Sequence, residues 1–122
     1  MTTIRHADLV ESVAAALQYI SYYHPADYIQ HLARAYEREE SPAAKDAIAQ
    51  ILTNSKMCAE GRRPICQDTG IVNVFMKIGM DVRWEGFAGS IADAVNEGVR
   101  RGYQNPDNVL RASVLDDPLF AR

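Results

Sequence analysis

A mainly helical α+β fold is predicted by three observations. Three successive stretches carry apolar residues at helical spacing, β-branched and aromatic residues take over after Pro64, and helical spacing returns from about Gly86. The expected order is three N-terminal helices, a short strand or hairpin, then a fourth helix. The 122 residues suit one domain with a modest core.

The first helix is read from Leu9, Val10, Val13, Leu17 and Ile20, with Glu11, Ser12 and Gln18 off that face. His24-Pro25 interrupts it, because proline disfavours helix in its predecessor and suits the first turn of the next helix. The second helix places Ile29, Leu32, Ala33 and Tyr36 on one face and ends in the charged run Glu37-Arg38-Glu39-Glu40. Ser41-Pro42 starts the third, with Ser41 as N-cap. That helix points Ala44, Ala47, Ile48, Ile51, Leu52 and Ser55 inward, and Gly61 is placed to stop it. An antiparallel helical cluster is expected.

Ile71 to Ile78 is β-rich and reads as a strand, with Val72, Val74, Met76 and Ile78 on one face. Gly79 breaks it, and Met80, Val82 and Trp84 alternate with Asp81 and Arg83 as a second short strand, a hairpin return. The fourth helix carries Ile91, Val95 and Val99, while Gly98 and Gly102 permit close approach of another backbone. Asn105-Pro106 ends it. Six tyrosines, five of them between Tyr19 and Tyr36, read as partly buried helix faces or subunit contacts rather than base-stacking platforms.

Bulk properties narrow the function. The hydrophobic fraction of 48% and charged fraction of 24% are globular values. A net charge of -3 gives no reason to expect nucleic acid or an acidic membrane as partner. No apolar run approaches the roughly 18 residues of a membrane span, and the first residues lack a secretory signal. A cytoplasmic location is expected, with Cys58 and Cys66 as reduced thiols. Their spacing matches no zinc knuckle, and His6, His24 and His31 all lie upstream.

Cys66-Gln67-Asp68-Thr69-Gly70 is the stretch best suited to chemistry. It sets a thiol, an amide, a carboxylate and a hydroxyl side by side ahead of a glycine, on a turn anchored by the apolar run behind it. On the residues alone, Cys66 is open to three readings: a buried structural thiol, a nucleophile, or a metal ligand. Asp68-Thr69-Gly70 is a good turn in its own right, and its backbone N–H groups also suit a ligand carboxylate. Cys58, seven residues after Ile51, reads as a small core hydrophobe.

Pro64-Ile65-Cys66-Gln67-Asp68-Thr69-Gly70 resembles the cluster-binding motif of the class I, iron–sulfur-dependent fumarate hydratases and the related L-tartrate dehydratases. The resemblance runs along the whole chain. It takes in the Ala-rich helix before Met57-Cys58, the Val-rich stretch after Gly70 and Asn108-Val109-Leu110-Arg111.

The resemblance implies a 4Fe-4S cluster held by three cysteines, with the fourth iron open to substrate as a Lewis acid. Cys66 then corresponds to the first ligand. Gln67 and Asp68 correspond to substrate-contacting residues, Asp68 also handling the proton at the hydroxyl. Arg111 corresponds to an arginine that grips a substrate carboxylate. The implied reaction is reversible hydration of fumarate to L-malate. L-tartrate dehydration is the alternative within the same chemistry, and a non-catalytic helical interaction module is the alternative outside it.

No further cysteine follows Cys66, and Cys58 precedes the motif. Residues 1–122 are therefore expected to be the N-terminal part of a longer hydro-lyase domain, cluster-free and inactive alone. Exposed apolar surface on Ile71–Ile78 and on the Gly98/Gly102 face is expected, and with it self-association, as in a homodimer.

Overall fold

The computed structural model describes residues 1–66 and 71–105. The order is β1 (Thr2–Arg5), α1 (His6–Tyr22), α2 (Ala26–Arg38), α3 (Pro42–Gly61), β2 (Val82–Glu85) and α4 (Ile91–Gln104). The mainly helical α+β class is as read from the sequence: three helices, a small sheet, a fourth helix. The chain divides into two compact units, one of residues 1–18 with the chain from 68 onward, the other of residues 19–67.

In the first unit, α1 packs against α4 through small residues. Val10 is fully buried, and Leu17, Ala94, Gly98, Val99 and Gly102 are buried with it. The seam on α4 is Ala94, Gly98 and Gly102 at i, i+4 and i+8, which lie on one helical face. A Cβ on Gly98 would stand 2.8 Å from the Val10 carbonyl oxygen and 2.7 Å from the Val13 Cβ. Glycine is what lets the two backbones meet there. The Gln18 side chain donates to the Gly102 carbonyl at 2.8 Å, satisfying one of the last acceptors of α4.

The sheet is two parallel strands, with Thr2 opposite Val82 and Ile4 opposite Trp84. Beyond it, the Phe87 ring meets Trp84 and His6 edge-on at 5.2 and 5.1 Å. Gly86 makes the turn between them at φ +75°. Ser90 then caps α4 in a reciprocal box with Asp93, whose carboxyl is held below its ordinary pKa by the Ser90 hydroxyl. Glu97 is lowered in the same direction by hydrogen bonds from Arg100 and Arg101.

The second unit holds the end of α1, then α2 and α3, which pack together across the short link at Glu39–Ser41. Lys45 lies 4.7 Å over the Tyr36 ring. Ser41 accepts from the Ala44 N–H, and Pro42 occupies the first turn, as its sequence signal requires. Buried Ser55 and Cys58 mark the inner face of α3. Ala47 and Ile51 depart from the expected face of α3, and Ile20 from that of α1: all three are exposed. The tyrosines are intermediate: Tyr19, Tyr28 and Tyr36 are exposed, and Tyr22, Tyr23 and Tyr103 are half-buried.

Four expectations need correction. Residues 71–79 form no strand, because no neighbouring segment among the described residues offers them a ladder, and an isolated strand has little to hold it. Val82–Glu85 is a strand, but it pairs in parallel with Thr2–Arg5 rather than returning in a hairpin. Helix α4 starts at Ile91 instead of near Gly86, set by the Ser90 box. The Gly98/Gly102 face is covered by α1 rather than exposed.

The end of α3 also differs in detail. Gly61 is its last residue, and the left-handed position falls on Arg62 at φ 48°. The Cys58 carbonyl accepts from the N–H groups of Arg62 and Arg63, the latter at 3.1 Å, so the helix closes in a Schellman-type turn. A side chain in this conformation is disfavoured relative to glycine. Arg62→Gly is expected to raise stability by about 0.5–1 kcal/mol, read from the urea midpoint at unchanged slope.

Candidate functional site

Helix α3 and the chain that doubles back from it build the platform for Cys66. After the left-handed turn at Arg62, Pro64 and Ile65 run back along the helix. The Ile65 N–H donates to the Ser21 carbonyl at the end of α1, at 2.9 Å. The Ile65 carbonyl accepts from the Asn54 side chain, also at 2.9 Å. Both backbone groups of the residue ahead of Cys66 are thereby held, as chain leaving a helix needs when its own ladder has ended.

The two cysteines have separate fates. Cys58 is 4% exposed, and its S–H lies 3.4 Å from the Pro64 carbonyl and 3.6 Å from the Asn54 side-chain oxygen. It is the small core residue the sequence indicates, with a weak donor satisfied locally. Cys66 is an exposed free thiol on a bend. Cys66 differs in this from Cys58, which is buried.

A polar pair supports this platform from below. The His24 ring nitrogen Nδ1 lies 2.9 Å from the hydroxyl of buried Ser55, and the ring stacks on Tyr28 at 4.7 Å. The pair ties the link after α1 to α3, one helical position beyond Asn54. The sequence marks Ser55 as core and His24 only as part of the helix break with Pro25, and it gives Asn54 no role. The available signal was the i, i+4 spacing of Asn54 and Cys58, which places an amide on the edge of the helix that buries the thiol.

Gln67, Asp68 and Arg111, the other residues singled out from the sequence, lie outside the described residues. Among the described residues, no group of three or more His, Cys, Asp or Glu side chains is placed to hold a metal ion. The donor set makes the same point: the chain has two thiols, and one is turned into the core. The described residues place no companion ligands beside Cys66.

Downstream of the motif, Ile71, Val74, Phe75, Met76, Ile78 and Met80 are all exposed, Phe75 at 95% and Met80 at 99%. This is the exposed apolar surface expected of the segment, though in irregular chain rather than a strand. No helix among the described residues is long and apolar enough to cross a membrane.

Comparison with known proteins bears on the same residues. A family model described as Fumarate hydratase (Fumerase) matches residues 10–122, which include Cys66 and all that follows it. A curated relative in Methanocaldococcus jannaschii, named "Putative L(+)-tartrate dehydratase subunit alpha", is 35% identical over 79 residues. Those residues are 65% of this chain and 27% of the relative, so the chain matches about a quarter of the relative's length. No solved structure matches the chain.

Proposed function

Since the chain belongs to the fumarate hydratase (Fumerase) family, we propose that it is part of a 4Fe-4S-dependent hydro-lyase that interconverts fumarate and L-malate. The observation that carries this is an exposed thiol, fixed by its neighbours, at the head of the motif Cys66-Gln67-Asp68-Thr69-Gly70 within the family match.

Cys66 supplies one thiolate to the cluster. Further thiolates come from outside these 122 residues, because Cys58 is committed to the core. When bound, the cluster supplies a Lewis-acidic iron that polarises the substrate hydroxyl. The chain's own residues orient the substrate. Gln67 hydrogen-bonds a substrate oxygen, and Asp68 holds or releases the proton at the hydroxyl being added or lost. Arg111 binds a carboxylate through its forked guanidinium. The ligand class is a four-carbon dicarboxylate, and the chain alone is inactive.

The exposed apolar stretch from Ile71 to Met80 supports an assembly that covers it, which we take as a homodimer. Two free thiols support a reducing, cytoplasmic setting. A second reading, L-tartrate dehydration, is favoured by the name of the relative from Methanocaldococcus jannaschii.

Anaerobic assay of the protein carrying this chain separates the readings. L-malate is expected to be dehydrated faster than L-tartrate, with activity lost on exposure to air. Faster turnover of tartrate would select the second reading. Turnover of neither, in protein loaded with iron and sulfide, would sink both.

A further inference from the structure

The Ile65–Cys66 peptide is planar and trans, as are all peptide bonds among the described residues. Fixing the Ile65 carbonyl therefore fixes the nitrogen and Cα of Cys66. That carbonyl is held by Asn54 Nδ2 at 2.9 Å, while the Ile65 N–H is held by Ser21 on the other side. The same Asn54 amide offers its oxygen to the Cys58 S–H, whose sulfur also faces the Pro64 carbonyl. One side chain thus touches both the last buried thiol of α3 and the backbone that presents the exposed one.

The holders are themselves braced. Asn54 stands on α3 beside Ser55, and Ser55 is tied through His24 to the chain leaving α1. Ser21, the second holder, lies three residues before His24. With its nitrogen and Cα fixed, the Cys66 sulfur is left two rotations, the backbone φ of Cys66 and the side-chain χ1. A ligand set works only when its members are held within about 0.5 Å of the productive geometry.

We infer that Asn54 is a positioning residue for Cys66, fixing the peptide that aims its sulfur toward the cluster. The ligand role of Cys66 rests on the proposed function; the clamp itself rests on the hydrogen bonds. Asn54 is exposed, so its value to the fold is small and its effect on Cys66 is separable. Outer partners of metal ligands typically change metal affinity or activity by about 10–100-fold.

Asn54→Leu removes both the donor and the acceptor, and Asn54→Gln keeps them on a longer arm. In the cluster-loaded protein, Asn54→Leu is expected to speed loss of the visible cluster absorbance under a chelator by about 10–100-fold. Asn54→Gln is expected to restore much of it. A spectrum and loss rate equal to wild type in Asn54→Leu would overturn the inference. Amide hydrogen exchange gives a reading independent of the cluster: the Ile65 N–H, held by Ser21, is expected to exchange faster in Asn54→Leu than in the unaltered protein, and equal exchange would overturn the inference. Retention of the cluster in Cys66→Ala would instead overturn the functional reading and leave the clamp standing.

Discussion

Replacing Gly98 by alanine is expected to destabilise the first unit by about 2 kcal/mol or more, whereas the same change at Gly102 is expected to be nearly neutral. At Gly98 the added Cβ meets a backbone oxygen, that of Val10, at 2.8 Å and the Val13 Cβ at 2.7 Å. Neither is the free end of a flexible side chain, so α1 and α4 have to part. Overpacking of this kind typically costs about 1–3 kcal/mol and sometimes more. Loss of a helical glycine returns up to about 1 kcal/mol.

At Gly102 the nearest atom is Leu17 Cδ1 at 3.2 Å, the tip of a rotatable side chain, with Ala14 Cα and O at 3.5 Å. A small rotation there can be offset by the gain in helix propensity. Urea unfolding of the two variants side by side checks the contrast. Equal midpoints would mean that α1 and α4 do not pack as closely as the geometry requires. Against a total stability of about 5–15 kcal/mol, the Gly98 effect would be easily seen.

Cys66→Ala in the protein carrying this chain is expected to abolish the cluster absorbance and lower malate dehydration by about a thousandfold or more. The size follows from removing a Lewis acid that contributes several kcal/mol to the transition state, at about 1.4 kcal/mol per factor of ten. Cys58→Ala is the matched control. That sulfur is buried against Pro64 and Asn54, so its loss is expected to cost about 1 kcal/mol of stability and leave the absorbance in place. The opposite pattern, with Cys58 essential and Cys66 dispensable, would reverse the assignment of the two thiols.

The helices were legible wherever a local rule acts alone. Ser41-Pro42 started α3 and His24-Pro25 separated α1 from α2, because capping and proline sterics need no distant partner. Gly98 and Gly102 were correctly read as points of close approach, yet not as facing α1, since spacing gives a face and not its occupant. The strand at Thr2–Arg5 went unseen. Four residues carry too little periodicity, and their partner, Val82–Glu85, lies beyond three intervening helices. Ile71–Ile78 has strand composition but lacks a ladder, so propensity alone misassigned it.

The candidate site divides in the same way. Cys66 stood out because a motif concentrates unusual side chains in one place. Asn54 and His24 did not, because their roles depend on Ile65 and Ser55 being brought to them by the turn at Arg62 and by helix packing. A positioning side chain is ordinary in sequence and becomes informative only when its hydrogen bond is visible.

The pairing of Thr2 with Val82 has a bearing on the birth of the chain. A parallel strand cannot close on a partner that has not yet been made. At about 5–20 residues per second, the first residues wait roughly 4–16 s for the segment they pair with. During that interval β1 is an open edge on a nascent polypeptide, while the helical hairpin of α2 and α3, whose contacts are local, can already form. Residues 2–5 are made well before the strand they pair with and are among the last to find their place.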